Sequence, residues 1–246
     1  MSIDHPSQLE ALKAAGKIVR LMLERMKEHV RPGVTTKELD EIGAEVMEKN
    51  GARSAPSTVY GFPGTNCISV NDEAVHGIPS RRILKEGDLV KLDVTIEKDG
   101  FMADAADTVP VGSVDGIKLK LMTCARKAFE KSLAAAKAGN RVNEIGRMVE
   151  REVRRNGFFV IRELEGHGIG RTIHEPPSVP NFADPRARQI LKNGMVLTIE
   201  PIIAAGAGTV YMAKDGWTIR TADRSPSAHY EHTLVITKGK PILLTA

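Results

Sequence analysis

Cysteine is scarce in this chain: two residues, Cys67 and Cys124, occur among 246. Neither sits in a Cys-x-x-Cys pair, which excludes a zinc ribbon or a redox dithiol and makes the reducing cytoplasm the simplest home. Aromatic residues are also few, at 4%, with one tryptophan. The 35 Lys and Arg against 31 Asp and Glu leave a charge of +4 and a pI near 9.0. These basic residues are scattered, as in Arg81-Arg82, Lys118 with Lys120, and Arg151 to Arg155. No basic run is interleaved with aromatics, so they read as solvated faces and no specific nucleic-acid site is expected. A weak ribosome contact is left open, without support. No stretch approaches the roughly 18 consecutive apolar residues of a membrane span. The opening 25 residues, broken by Asp4, Glu10, Lys13, Lys17, Arg20, Glu24 and Arg25, hold no apolar core of a secretory signal. A soluble protein is expected. Gly-Lys-Ser and Gly-Lys-Thr are absent too, and with them a phosphate loop.

What is present is a repeated order of elements. Helices are expected over 8–30, where Leu12, Ala15, Val19, Met22 and Met26 form one stripe, and over 36–50. Thr35 with Glu38 makes a capping box for the second, and Gly51 supplies its left-handed stop. Strands follow at 67–70, 89–97 and 101–109, the last two joined at Lys98-Asp99-Gly100 as a hairpin. Helices at 114–138 and 142–156 then precede strands at 158–161, 195–200, 210–212, 217–221 and 230–237. The letters Glu-Ile-Gly and Asn-Gly recur in the second helix of each set, at 41–43 with 50–51 and at 144–146 with 156–157. These features point to an α+β fold with helices layered on a curved antiparallel sheet.

Asp93 and Asp104 lie on opposite arms of the hairpin. With Lys98-Asp99 as the loop they are directly opposed; with Asp99-Gly100 they are diagonal neighbours. In both registers strand parity puts the two carboxylates on one face, where they repel unless a positive charge lies between them. His167 sits in Gly166-His167-Gly168-Ile169-Gly170, whose glycines let backbone approach a crowded centre, and His174 follows seven residues later. Glu200 and Glu231 occupy apolar strand contexts. Convergence of the four acids would gather a charge of −4, which two divalent cations balance, and oxygen and imidazole donors without thiolate suit manganese, iron, cobalt or zinc.

Taken together, His76-Gly-Ile-Pro within 71–79, Asp93-Val-Thr with Asp104 eleven residues on, Gly166-His167-Gly-Ile-Gly-Arg with His174-Glu, Thr198-Ile-Glu200-Pro and Tyr230-Glu231-His232-Thr resemble the methionine aminopeptidases. The resemblance runs from about residue 8 to 243. It implies the pita-bread fold, a single catalytic domain over 1–246 with pseudo-symmetric halves at about 6–110 and 114–245. Only 31 positions separate Glu200 from Glu231, too few for the type II insertion, so the chain is similar to type I. The resemblance also implies removal of the initiator methionine from nascent chains and peptides when the second residue is small, by attack of a metal-bridging hydroxide on the first peptide bond. Asp104 and Glu231 would bridge two ions (Co²⁺, Mn²⁺, Fe²⁺ or Zn²⁺), Asp93 would chelate one, and His167 with Glu200 would complete the other. Glu200 would relay the proton, and His76 and His174 would hydrogen-bond the scissile amide and the tetrahedral centre. The methionine pocket would comprise Val59, Phe62, Cys67, Ile173 and Trp217. Family precedent implies a monomer.

Overall fold

The computed structural model describes residues 1–246. Five helices form: α1 (Pro6–Glu28), α2 (Thr36–Lys49), α3 (Ala55–Tyr60), α4 (Gly116–Ser132) and α5 (Val142–Arg155). No helix is long and apolar enough to cross a membrane. The expected stripe of α1, Leu12, Ala15, Val19, Met22 and Met26, is wholly buried. The capping box of α2 is made as expected: the Thr35 hydroxyl accepts from the Glu38 amide at 3.1 Å while the Glu38 carboxylate accepts from the Thr35 amide at 2.7 Å. Two differences concern helices. The fourth stops at Ser132 rather than 138, its last stretch becoming turns, and α3 falls in a Ser-Ala-Pro-Ser segment too short to show a helical period.

The main sheet has nine strands, all antiparallel. Its central run, in spatial order, is Leu89–Lys98, Phe101–Pro110, Glu231–Val235, Val196–Ile199, Glu165–Gly168 and Glu175–Pro180; Arg53–Ser54 and Cys67–Val70 also pair with Leu89–Lys98, and Ile242–Leu243 with Glu231–Val235. Two smaller sheets, each of three strands, place Ser227–His229 beside Ile202–Ala204 and Ile219–Thr221 beside Glu73–Val75.

Alternation along Leu89–Lys98 decides what each face of the main sheet is for. Val90, Leu92, Val94 and Ile96 point to α1 and α2 and join Leu39, Ala103 and Ala105 in the largest apolar cluster. Each such fully buried side chain contributes about 1.5–3 kcal/mol by leaving water. Lys91, Asp93, Thr95 and Glu97 therefore project from the opposite face. The hairpin closes through Asp99 and Gly100, both at positive φ (51° and 79°), the backbone of a two-residue hairpin turn. That turn selects the diagonal register: Thr95 pairs with Asp104, and Asp93 with Ala106. Ala106 in turn pairs with Glu231, so the ladder aligns Asp93 with Glu231 across the intervening strand.

Candidate active site

Five consecutive strands of the sheet deliver five donors to one cavity of about 240 Å³: Asp93, Asp104, Glu231, Glu200 and His167. Each is fixed by its neighbours. The Thr233 hydroxyl accepts from the Asp104 amide at 2.9 Å and donates to the Asp104 carbonyl at 2.7 Å. The Thr198 hydroxyl accepts from the His167 amide at 3.0 Å and donates to Glu200 Oε1 at 2.9 Å. Gly166 permits this approach, because a Cβ there would stand 2.7 Å from the Thr198 carbonyl oxygen.

The acids are crowded and poorly satisfied. Asp104 Oδ1 and Glu231 Oε1 are buried without a hydrogen-bond partner. Burial, reinforced by repulsion from Glu231, Asp93 and Glu200, holds the Asp104 carboxyl well above its usual range. Burial and Glu231 do the same to Glu200, and burial and Asp93 to Glu231. Burial also raises Asp93. His167 is complementary: burial pushes its pKa down to about 4, so the ring is neutral near pH 7. Its Nδ1–H donates to the Gly168 carbonyl at 3.0 Å, which leaves the Nε2 lone pair 3.4 Å from Glu200 Oε1. That is the tautomer a metal-binding imidazole needs. Donor atoms of Asp104, His167 and Glu231 lie within 4.8 Å of one another. Four crowded acids, two of them with orphaned oxygens, and one neutral imidazole fit divalent cations and fit little else, since no lysine or arginine of the chain pairs with any of them.

His76 and His174 face the same cavity. His76 adopts a φ of 58°, an uncommon conformation for a residue with a Cβ. The next residue must be glycine, because a Cβ on Gly77 would meet the Ile68 carbonyl oxygen at 2.4 Å. Burial lowers the His76 pKa to about 4 and lowers that of His174 as well. The apolar wall contains Phe62, Cys67, Ile173 and Trp217, with Trp217 set edge-on to Phe62 at 5.3 Å between ring centroids. Val59 stands apart from this wall, 44% exposed and outside the cavity lining. Consecutive helical residues point about 100° apart, and on α3 the neighbouring Tyr60, itself 48% exposed, lines the cavity. The Tyr60 hydroxyl is 2.7 Å from His174 Nδ1.

A scan of the chain against family models matches metallopeptidase family M24 over residues 10–238. The chain belongs to this family. Methionine aminopeptidase 2 of Bacillus subtilis is 49% identical to it over 247 residues, spanning 100% of this chain and 99% of that relative. A methionine aminopeptidase of Staphylococcus epidermidis is 42% identical over 247 residues, 100% of this chain and 98% of the relative. The crystal structure of methionine aminopeptidase from Thermotoga maritima superposes with a TM-score of 0.96 at 37% identity, covering 100% of this chain and 99% of that one. Prolidase from Pyrococcus furiosus shares the fold, with a TM-score of 0.81 at 24% identity over 99% of this chain and 65% of that one. This M24 member thus has the pita-bread fold and the activity of a methionine aminopeptidase, an exopeptidase that depends on divalent metal.

Three residues in or beside this M24 site escaped the sequence reading: Tyr60, His229 and, behind the cavity lining, Lys91. Lys91 is wholly buried on the Asp93 face of its strand, its Nζ donating to the Asn71 carbonyl at 2.6 Å and to the Ser227 hydroxyl at 3.1 Å. Burial lowers its pKa to about 7. Its signal was a lysine inside an otherwise apolar strand. His229 is 2% exposed, with Nε2 3.3 Å from Glu231 Oε2 and 3.7 Å from Glu200 Oε2. Its signal was a position two residues before Glu231.

Proposed function

We propose that Asp93, Asp104, His167, Glu200 and Glu231 together hold two divalent ions, drawn from Co²⁺, Mn²⁺, Fe²⁺ and Zn²⁺, and that the cavity beside them receives an N-terminal methionine followed by a small residue. The supporting observation is the meeting of three buried acids, a half-buried fourth and a neutral imidazole in a cavity that also has an apolar wall. On this reading 1–246 acts as one catalytic domain of two halves, 6–110 supplying Asp93 and Asp104 and 114–245 supplying the other three donors. Both cysteines are free, in keeping with work on nascent chains in the cytoplasm.

Bound divalent ions polarise a carbonyl and bring the pKa of water from 15.7 toward about 7. The chain's own groups handle the proton and the substrate. Glu200, which lines the cavity beside the attacking water, takes the water's proton and returns it to the leaving amine. Tyr60, donating to His174 Nδ1, keeps the proton of that ring on Nε2, from which it is offered to the substrate carbonyl oxygen as charge develops. His76, neutral and held by its constrained backbone, hydrogen-bonds the scissile amide. Phe62, Cys67, Ile173 and Trp217 enclose the methionine thioether, with its soft sulfur against aromatic edges.

Hydrolysis of Met-Ala-Ser by chelator-treated protein, with Mn²⁺, Fe²⁺, Co²⁺ and Zn²⁺ returned singly, tests this reading. Turnover should vanish on chelation and return with at least one ion; full turnover after complete removal of metal would refute it. A second expectation concerns His174. His174→Ala should lower kcat by roughly 100-fold, the scale of general acid and hydrogen-bonding contributions, with KM nearly unchanged. Tyr60→Phe should cost only about two- to tenfold, one ordinary hydrogen bond. Equal losses in the two variants would contradict the division of labour.

A further inference from the structure

His229 is held as firmly as any of the five donors. Its strand pairs with Ile202–Ala204, and a single hydroxyl, that of Thr108, accepts from its amide and donates to its carbonyl, both at 2.8 Å. The ring is buried, yet neither Nδ1 nor Nε2 has a hydrogen-bond partner. A fixed, buried imidazole with both nitrogens unpaired is an unfavourable arrangement unless something else meets one of them. Nε2 faces Glu231 Oε2 at 3.3 Å and Glu200 Oε2 at 3.7 Å, and these three residues offer donor atoms within 4.8 Å of one another. Atoms bound to one ion at about 2.0–2.2 Å stand roughly 3–4 Å apart, so the spacing suits a shared cation. Glu200 thereby has an imidazole at each oxygen, His167 toward Oε1 and His229 toward Oε2.

We propose that His229 Nε2 is a sixth ligand of the metal centre, making with Glu200 and Glu231 a second imidazole-bearing position. This inference rests on the reading of the carboxylate centre given above and extends it. Nitrogen donors favour the later first-row ions, so His229 biases this chain toward cobalt and zinc relative to manganese.

The test uses full-length, metal-stripped protein with ¹⁵N-labelled histidine, titrated with Zn²⁺ and followed through two-bond ¹H–¹⁵N correlations of the imidazoles. Two rings, those of His167 and His229, should move to the metal-bound nitrogen position, and only the His167 ring should do so in His229→Gln. Competition with a chelator should show Zn²⁺ affinity falling about 10- to 100-fold in His229→Gln, with a smaller fall for Mn²⁺. If the wild-type protein binds Zn²⁺ through His167 while the His229 ring stays unmoved, the sixth ligand is refuted and the five-donor centre stands. If neither ring responds, both ideas fall. The wild-type spectrum decides between these outcomes even if the variant folds poorly.

Discussion

Asp104→Asn should abolish nearly all hydrolysis of Met-Ala-Ser while making the metal-free protein more stable at pH 8. The two effects have one cause. Asp104 is buried with an orphaned oxygen and is repelled by Glu231, Asp93 and Glu200, so the folded chain tolerates it only by keeping it protonated or by binding a cation. Asparagine is nearly the same size, carries no charge to repel, and is a weaker ligand for a divalent cation. Loss of an interaction that stabilises charge in the transition state by about 4 kcal/mol corresponds to roughly a thousandfold in rate. Calorimetry of the chelated variant should show a Tm a few degrees above that of chelated wild type, at about 2–4 °C per kcal/mol for a chain of this size. A variant that keeps a tenth of wild-type turnover, or melts earlier without metal, would contradict the assignment.

The stabilisation conferred by metal should grow as pH rises from 6.5 to 8.5. In the metal-free protein the carboxyls of Asp104, Glu200 and Glu231 are held well above their ordinary values by burial. Their contribution to stability is complete below the ordinary carboxyl range and is lost as pH rises through the raised values. Cation binding requires the ionised forms and removes that loss. His76, His167 and His229, lowered to about 4 by burial, contribute the opposite slope, but only between about 4 and their ordinary 6.5. Each carboxyl proton displaced steepens the difference by about 1.4 kcal/mol per pH unit. Because His167 is already neutral, the protons released on metal binding come from the acids, and titration calorimetry in buffers of different ionisation heat should detect that release. A gap in Tm between loaded and stripped protein that stays constant over this range would remove the argument.

Much of this was legible in the residues. The stripe of α1, the capping box of α2 and the shared face of Asp93 and Asp104 follow from periods of 3.6 and 2 and from one hydroxyl-carboxylate pair, all local properties. The hairpin register was not settled by letters alone; it depended on which two residues took positive φ, and Asp99 and Gly100 did. Strands Glu165–Gly168 and Glu175–Pro180 were missed because glycine and proline are poor strand formers that serve here for close backbone contact. Tyr60 was missed, because the facing of a helix of six residues is set by what it packs against and leaves no periodic trace. Lys91 and His229 needed the third dimension: Asn71 and Ser227, which hold Lys91, and Glu200, which His229 faces, come from other strands and turns.

The five donors ride on adjoining strands of a single ladder, and a slip of one residue in any of them would turn its side chain toward the helices. Insertions and deletions are therefore barred from the ladder and left to the connections around the cavity, among them α3, the turn after Ile169 and the segment bearing Trp217. Apart from Cys67, which pairs with Asp93 on the ladder, the wall of the cavity and the donor set are thus encoded in separate stretches of sequence. A new preference at the first residue can be acquired by editing the connections alone, with the reactive centre undisturbed.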